Sequence, residues 1–262
     1  MNQVEIFRKK LRSNQLMIGT HVSLSDASVT EIFGEIGFDY VWIDGEHTLL
    51  TGSEIKGHLI AAKATNTLSL VRVACSDPVL AKPLMDAGAD GIIFPYIVSV
   101  PEARRAVKAC AYPPVGTRGY GPNRAMKYGL VRQEDYIERD SDNIFTVLQI
   151  EHENAVKQLD EILEIEGIDA VVVGAQDLSA SVGMLGRVKA REMTALFDRI
   201  AEAALRHGVP FGISCGPDPE FIRQWIERGA KMISVEMDYG FIVRGALELK
   251  EMLLSTYDQA SR

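Results

Sequence analysis

Glu151, in TVLQIEHENAV, and Asp177, in DAVVVGAQDLS, each stand just beyond a short apolar run that reads as a buried strand. Carboxylates at the ends of neighbouring strands project to the same side. Two ionised carboxylates held close repel, so one is protonated or a cation lies between them. Two acidic oxygens, completed by water and substrate oxygens, suit Mg²⁺ or Mn²⁺; the competing reading pairs one acid with a core arginine. Arg72, in SLVRVA, is an arginine on an apolar strand. Its planar fork suits a substrate carboxylate or keto oxygen, or else an ion pair with Asp44 or Glu46. In YVWIDGEH, Asp44 precedes His47 by three residues. A carboxylate beside an imidazole fixes its tautomer and raises its basicity, which makes His47 the candidate general base or acid. The spacing does not rank Glu46 against Asp44. Lys63 and Lys231 precede their strands, and no lysine ends one. A Schiff base is therefore disfavoured against a metal-stabilised enolate, with Lys127 left open by position. Cys215 has no evident histidine partner and is set aside as a nucleophile.

These residues need a frame that gathers strand ends. Eight short apolar runs recur, at 17–23, 40–44, 68–73, 91–95, 145–150, 170–174, 209–214 and 232–235. YVWID, GIIFP, TVLQIE and DAVVVG are apolar at consecutive positions, the pattern of parallel strands covered on both faces. Helical patterns at 25–36, 52–65, 78–87, 101–109, 154–165, 190–207, 218–228 and 241–256 fill the intervals. Gly37-Phe38-Asp39, Gly88-Ala89-Asp90, Gly167-Ile168-Asp169 and Gly229-Ala230-Lys231 each end a helix and turn into a strand. Eight strand–helix units predict one α/β (β/α)8 barrel spanning 1–262, whose site lies at the carboxyl ends of the strands. His21, Gln149, Ser214, Glu236 and Asp238 are further polar residues at those ends. The long Gly/Pro-rich segment 112–129 is expected to be a functional loop over the mouth.

Of 262 residues, 47% are hydrophobic, enough for a full core, and the net charge is −8. That charge, with a pI near 5.2, argues against nucleic acid or anionic membranes as partners. Three scattered cysteines without CxxC spacing fit a reduced, cytoplasmic protein. The charged first twelve residues carry no apolar signal-peptide core, and no run approaches the roughly 20 residues of a membrane span.

The segments GFDYVWIDGEHTLL, VRVACSDPVLAKPLMDAGADGIIFPYIVSVPEARRAV, YPPVGTRGYGPNRAMKYG, LQIEHENAV and IDAVVVGAQDLSASVG resemble the HpcH/HpaI aldolases in order and spacing. These are class II pyruvate aldolases related to the citrate lyase β-subunit. The resemblance implies a divalent-metal aldolase joining or splitting pyruvate and an aldehyde, with a 2-keto-3-deoxy or 4-hydroxy-2-keto acid as substrate. It makes Glu151 and Asp177 the metal ligands, Arg72 the contact to the pyruvate or enolate oxygen, and His47 the base with Asp44 behind it. Gln149 becomes a polar neighbour of the metal. The backbone N–H groups of Gly174, Ala175, Gln176 and Asp177 would receive the pyruvate carboxylate, and Asp86 would complete a neighbouring subunit's site. It further implies a homo-hexamer, a trimer of dimers that exchange the C-terminal helix. Rival readings are a citrate-synthase-like or thioester-cleaving enzyme using the same enolate, and a non-catalytic barrel. The chain departs from the family pattern at His21, at Gly174-Ala175-Gln176, at 48–51 and at Glu236, all expected on the aldehyde side.

Overall fold

The computed structural model describes residues 2–139 and 143–261. Its strands are β1 (Met17–Val22), β2 (Tyr40–Asp44), β3 (Leu68–Arg72), β4 (Gly91–Ile97), β5 (Phe145–Ile150), β6 (Ala170–Val173), β7 (Phe211–Cys215) and β8 (Met232–Met237). Each pairs in parallel with the next, and β8 pairs with β1, closing the barrel. The helices are α1 (Gln3–Arg12), α2 (Ser28–Ile36), α3 (Gly52–Ala64), α4 (Pro78–Asp86), α5 (Val100–Cys110) and α6 (Gln133–Arg139). They continue as α7 (Glu153–Lys157), α8 (Leu159–Leu163), α9 (Ala175–Ser181), α10 (Arg191–His207), α11 (Pro219–Glu227) and α12 (Asp238–Ala260). The (β/α)8 expectation holds.

Alternation divides the core into two layers. Val41, Ile43, Val71, Ile92, Phe94, Leu148 and Val171 face outward and pack beneath the helices. Tyr40, Trp42, Leu68, Leu70, Ile93, Phe145 and Val172 face inward and fill the barrel. Tyr40 fits because Gly19 opposes it: a Cβ there would lie 2.3 Å from the tyrosine ring.

The amino-terminal segment, noted in the sequence only for lacking a signal core, is a structural plug. Asn2 and Glu5 form a capping box at the start of α1. Val4, Phe7 and Leu11 join the inner layer. Phe7 meets Tyr40 and Phe145 edge-on, at 5.8 and 5.1 Å between centroids. Arg8 Nε and Nη2 donate to Asp169 at 2.6 and 2.8 Å, tying the plug to the foot of β6.

Several expectations need correction. The 25–36 helix begins at Ser28, because Asp26 accepts the Ser28 N–H (2.9 Å) in a turn outside it. The 154–165 helix is two short ones, α7 and α8, and α6 and α9 were not foreseen. The segment 112–129 does not cover the mouth. It follows a helix and precedes a strand, which places it at the amino-terminal face. There Arg124 donates to the carbonyls of Ala87 (3.1 Å) and Leu59 (3.3 Å), and Lys127 lines a cavity shared with Asn2 and Val4. Lys127 is thereby removed from the mouth of its own barrel.

Phe7→Ala should lower the unfolding free energy by about 3–5 kcal/mol through the cavity it opens. Denaturant titration measures this, and an unchanged midpoint would mean that α1 is no part of the core.

Candidate active site

A cavity of about 510 Å³ opens at the carboxyl ends of the strands. Its wall includes His21, Trp42, His47, Arg72, Gln149 and the 174–177 segment. The inward positions of the strands run out at this level. Tyr40 and Trp42 are core residues on β2, and Asp44 is the next position of the same parity. On β3, Leu68 and Leu70 are followed by Arg72. On β5, Phe145 and Val147 are followed by Gln149 and then Glu151.

Arg72 is 6% exposed and Asp44 is 1% exposed. Arg72 Nε and Nη2 grip the two Asp44 oxygens at 3.0 and 2.8 Å, while Nη1 lies 3.0 Å from Glu46 Oε2. A guanidinium carries five N–H bonds, so Asp44 orients the fork and leaves donors over. The Arg72 carbon also sits 5.3 Å from the Trp42 ring. Burial pushes the Asp44 carboxyl up, but the Arg72 hydrogen bonds and charge outweigh it and hold the group below its ordinary value. At Glu46 burial outweighs Arg72 and His47, and the carboxyl is raised.

The expected partnership of Asp44 with the His47 ring is not what forms. Asp44 Oδ1 accepts the backbone N–H groups of Glu46 (2.9 Å) and His47 (3.3 Å), because its side chain turns back into the β2 turn. Glu46 is the carboxylate near the imidazole, 3.7 Å from Nε2. The His47 side chain is 66% exposed at the rim.

Glu151 is buried. Its Oε1 accepts the Tyr96 backbone N–H at 2.7 Å, and its Oε2 accepts Gln149 Nε2 at 2.5 Å. Tyr96 has a left-handed backbone, with φ of 51°, a costly conformation for a tyrosine that turns its N–H onto the carboxylate. Gly174 is required beside it, since a Cβ there would fall 2.1 Å from Glu151 Oε2. Burial, then the charges of Asp177 and Glu46, push the Glu151 carboxyl up to about 7. Asp177 is not itself at a strand end but in the first turn of α9, exposed to the cavity.

Asp44, Glu46, Glu151 and Asp177 thus share the mouth, and its buried guanidinium is bonded to two of them, Asp44 and Glu46. Gln149 Oε1 is buried without a donor. This donor set fits a divalent cation between Glu151 and Asp177. Among the described residues no group of three His, Cys, Asp or Glu is placed to hold a metal. Asp86 ends α4 at the amino-terminal face and pairs with Arg118 Nη2 at 3.2 Å, outside this cavity.

Of the wall residues, Lys189 escaped the sequence analysis, whereas His21, Ser214 and Glu236 stand at strand ends as expected. Lys189 comes from the loop before α10 and is ion-paired with Asp218. Glu236 reaches the wall from a left-handed position (φ 68°) and pairs with Arg244 at 3.3 Å. His21 and Ser214 are joined at 2.7 Å over the end of the intervening β8. Only the shared level of their strand ends could have suggested the last pair.

A closed barrel with a carboxylate-rich mouth around a buried arginine defines a (β/α)8 enzyme whose chemistry lies at the strand ends. The HpcH/HpaI aldolase/citrate lyase model matches residues 17–244, and the chain belongs to that family. Its relatives include the hydroxypyruvate/pyruvate aldolase of Sagittula stellata, 36% identical over 92% of this chain and 94% of that protein. The 5-keto-4-deoxy-D-glucarate aldolase of Enterobacter sp. (strain 638) is 34% identical over 89% and 91%. Among solved structures, an HpcH/HpaI aldolase/citrate lyase family protein from Burkholderia cenocepacia superposes with a TM-score of 0.89. It shares 29% identity, over 95% of this chain and 98% of that one. The chain is accordingly a carbon–carbon lyase of this family.

Because the folded-state value of Glu151 is raised, its contribution to stability is intact below the ordinary 4.5 and is lost as pH climbs through about 7. Glu151→Gln carries no charge to bury. In EDTA-treated protein at pH 8 it should be more stable than the parent by up to about 3 kcal/mol, the gap closing near pH 4. Denaturant titrations at the two pH values decide it; parallel curves would mean that the carboxylate is already compensated.

Proposed function

We propose that the chain is a divalent-metal-dependent class II aldolase. It forms or cleaves the carbon–carbon bond between a pyruvate enolate and an aldehyde, with 2-keto-3-deoxy or 4-hydroxy-2-keto acids as substrates. The observation that carries this reading is the surplus of carboxylates: Glu151, raised to about 7, faces Asp177 and Glu46 with Arg72 already gripped by Asp44. Mg²⁺ or Mn²⁺ held by Glu151 and Asp177 would relieve that repulsion. Such an ion supplies Lewis-acid stabilisation of negative charge on the keto oxygen.

The side chains divide the remaining work. Arg72 directs its spare N–H bonds at the keto oxygen, where charge develops as the bond breaks. Asp44 holds the guanidinium rigid, so little reorganisation is needed. Gln149 holds Glu151 in place. The unpaired N–H groups of Ala175, Gln176 and Asp177 in the first turn of α9 receive the substrate carboxylate. His47 takes the proton of the 4-hydroxyl, the C3–C4 electron pair moves into the enolate, and the aldehyde leaves. A proton delivered to C3 then completes pyruvate. Addition runs the same steps backwards.

The whole chain works as one unit and assembles with copies of itself. In α12 only Asp238 is buried. Ile242, Leu249, Leu253 and Tyr257 are 58%, 59%, 64% and 71% exposed. Such an apolar row on one helix marks an interaction surface and supports a hexamer, a trimer of dimers exchanging α12, with Asp86 serving the neighbouring site. No helix among the described residues is long and apolar enough to cross a membrane. The unpaired Cys75, Cys110 and Cys215 support a cytoplasmic location.

Pyruvate release from a panel of 4-hydroxy-2-keto and 2-keto-3-deoxy acids should appear in a lactate-dehydrogenase-coupled assay, vanish with EDTA and return with Mg²⁺ or Mn²⁺. Glu151→Ala or Asp177→Ala should abolish it, by at least about 10³-fold; full rate in either variant would sink the metal assignment. Light scattering after size exclusion should give a particle near six chain masses, shifting to smaller species in Leu249→Glu/Leu253→Glu. A parent protein that elutes as a monomer would remove the assembly from the reading.

A further inference from the structure

Outside the proposed catalytic groups, the cavity wall holds a buried histidine bonded to a hydroxyl. Ser214 Oγ and His21 Nε2 are 2.7 Å apart, joining β7 to β1 across the intervening β8. Both residues line the cavity that contains Arg72, His47 and Asp177. His21 is 4% exposed and lies flat on Trp42, 4.6 Å between centroids and 19° between planes. Trp42 in turn lies beneath Arg72. The ring is thus clamped between the barrel interior and the hydroxyl, and it cannot swing toward the His47 side of the mouth without losing that stack.

Resting on the aldolase reading above, we infer that the His21–Ser214 pair is the hydrogen-bonding subsite for the acceptor, selecting an uncharged, hydroxylated aldehyde over one with an anionic tail.

The chemistry of the pair supports this choice. Burial, followed by the charge of Arg72, pushes the His21 imidazole down to about 3, so the ring is neutral at working pH. It is therefore not a cation for a carboxylate. A neutral imidazole has one donor and one acceptor nitrogen, and Nδ1 is buried without a partner. Nothing on the Nδ1 side fixes the tautomer. Ser214 can donate to Nε2 and keep its lone pairs free, or accept from it and keep its O–H free. A substrate hydroxyl, itself donor and acceptor, satisfies either arrangement.

The rest of the wall opposes an anion. Its permanent cations are Arg72 and Lys189, and each already has a carboxylate, Asp44 and Asp218 respectively. Glu236 and Asp218 on the same side are paired with Arg244 and Lys189, so the described wall there offers a carboxylate no unpaired cation. Cys215 is kept a neutral thiol, its value raised by burial to about 11, and Val188 and Phe221 are apolar. An aldehyde ending in a carboxylate would lose its hydration and find no free cation in exchange.

The test uses the metal-loaded enzyme with pyruvate as donor and three acceptors: glyceraldehyde, propanal and succinic semialdehyde. Deuterium exchange at the pyruvate methyl group, followed by NMR without acceptor, reads the donor half by itself. The parent enzyme should favour glyceraldehyde over both other aldehydes in kcat/KM. Ser214→Ala should lower the glyceraldehyde-to-propanal ratio about tenfold, the worth of one neutral hydrogen bond, and Ser214→Thr should restore most of it. Circular dichroism checks that each variant is folded. Should succinic semialdehyde be the best acceptor, or should Ser214→Ala leave the ratio unchanged, the subsite is wrong while methyl exchange still upholds the aldolase. Absence of exchange in the parent would overturn both.

Discussion

Every strand of a closed parallel barrel turns alternate side chains to the interior, and only the last of these on each strand reaches the mouth. Most of the site follows from that parity. Trp42 fixes that Asp44 faces in, Leu70 does so for Arg72, and Val147 for Gln149 and Glu151. A slip of one residue in the pairing of any of these strands would bury the charge under a helix and put a valine or isoleucine in the mouth. The interior must therefore be filled tightly and in register. The stack of Phe7, Tyr40 and Phe145, with α1 closing the far end, holds that register from below.

The mouth is an electrostatic compromise. Asp44 is stabilised by Arg72, whereas Glu46 and Glu151 are raised by burial and by neighbouring carboxylates, Asp177 among them. One guanidinium cannot neutralise them all. The fold places this strain where a cation and an anionic substrate would be bound, and it adds backbone strain at the same level. Tyr96 and Glu236, both left-handed, end β4 and β8. Such positions persist only when their surroundings hold them. At Tyr96 the return is an N–H aimed at Glu151, and at Glu236 a carboxylate turned to Arg244 and the cavity wall.

The two halves of the cavity differ in kind. The side built from β2, β3, β5 and α9 is charged and tightly bonded, suited to a small keto acid held in one pose. The side built from β1, β7 and β8 is mixed, with a neutral His21–Ser214 pair, a sulfur, apolar residues and acids already engaged. Binding there depends on hydrogen bonds and shape, which is where enzymes sharing one donor chemistry can diverge in acceptor.

The strands, the barrel and the main charged residues were legible because each depends on local chemistry. Consecutive apolar residues in YVWID or DAVVVG can satisfy only a strand buried on both faces, and a polar residue closing such a run has nowhere to go but the mouth. Short helices such as α9 were not legible, since a seven-residue segment has too little periodicity to announce itself. Nor was α1 as a plug, because its apolar stripe gains meaning only against a barrel floor. Tertiary structure alone decided that Asp44 bonds Arg72 and a backbone turn rather than the His47 ring. It alone brought Lys189 to the rim and set His21 against Ser214 across 193 positions of sequence. Sequence spacing fixes which residues end strands; which side chains then meet is set by barrel closure and by competition among buried charges, and neither is local.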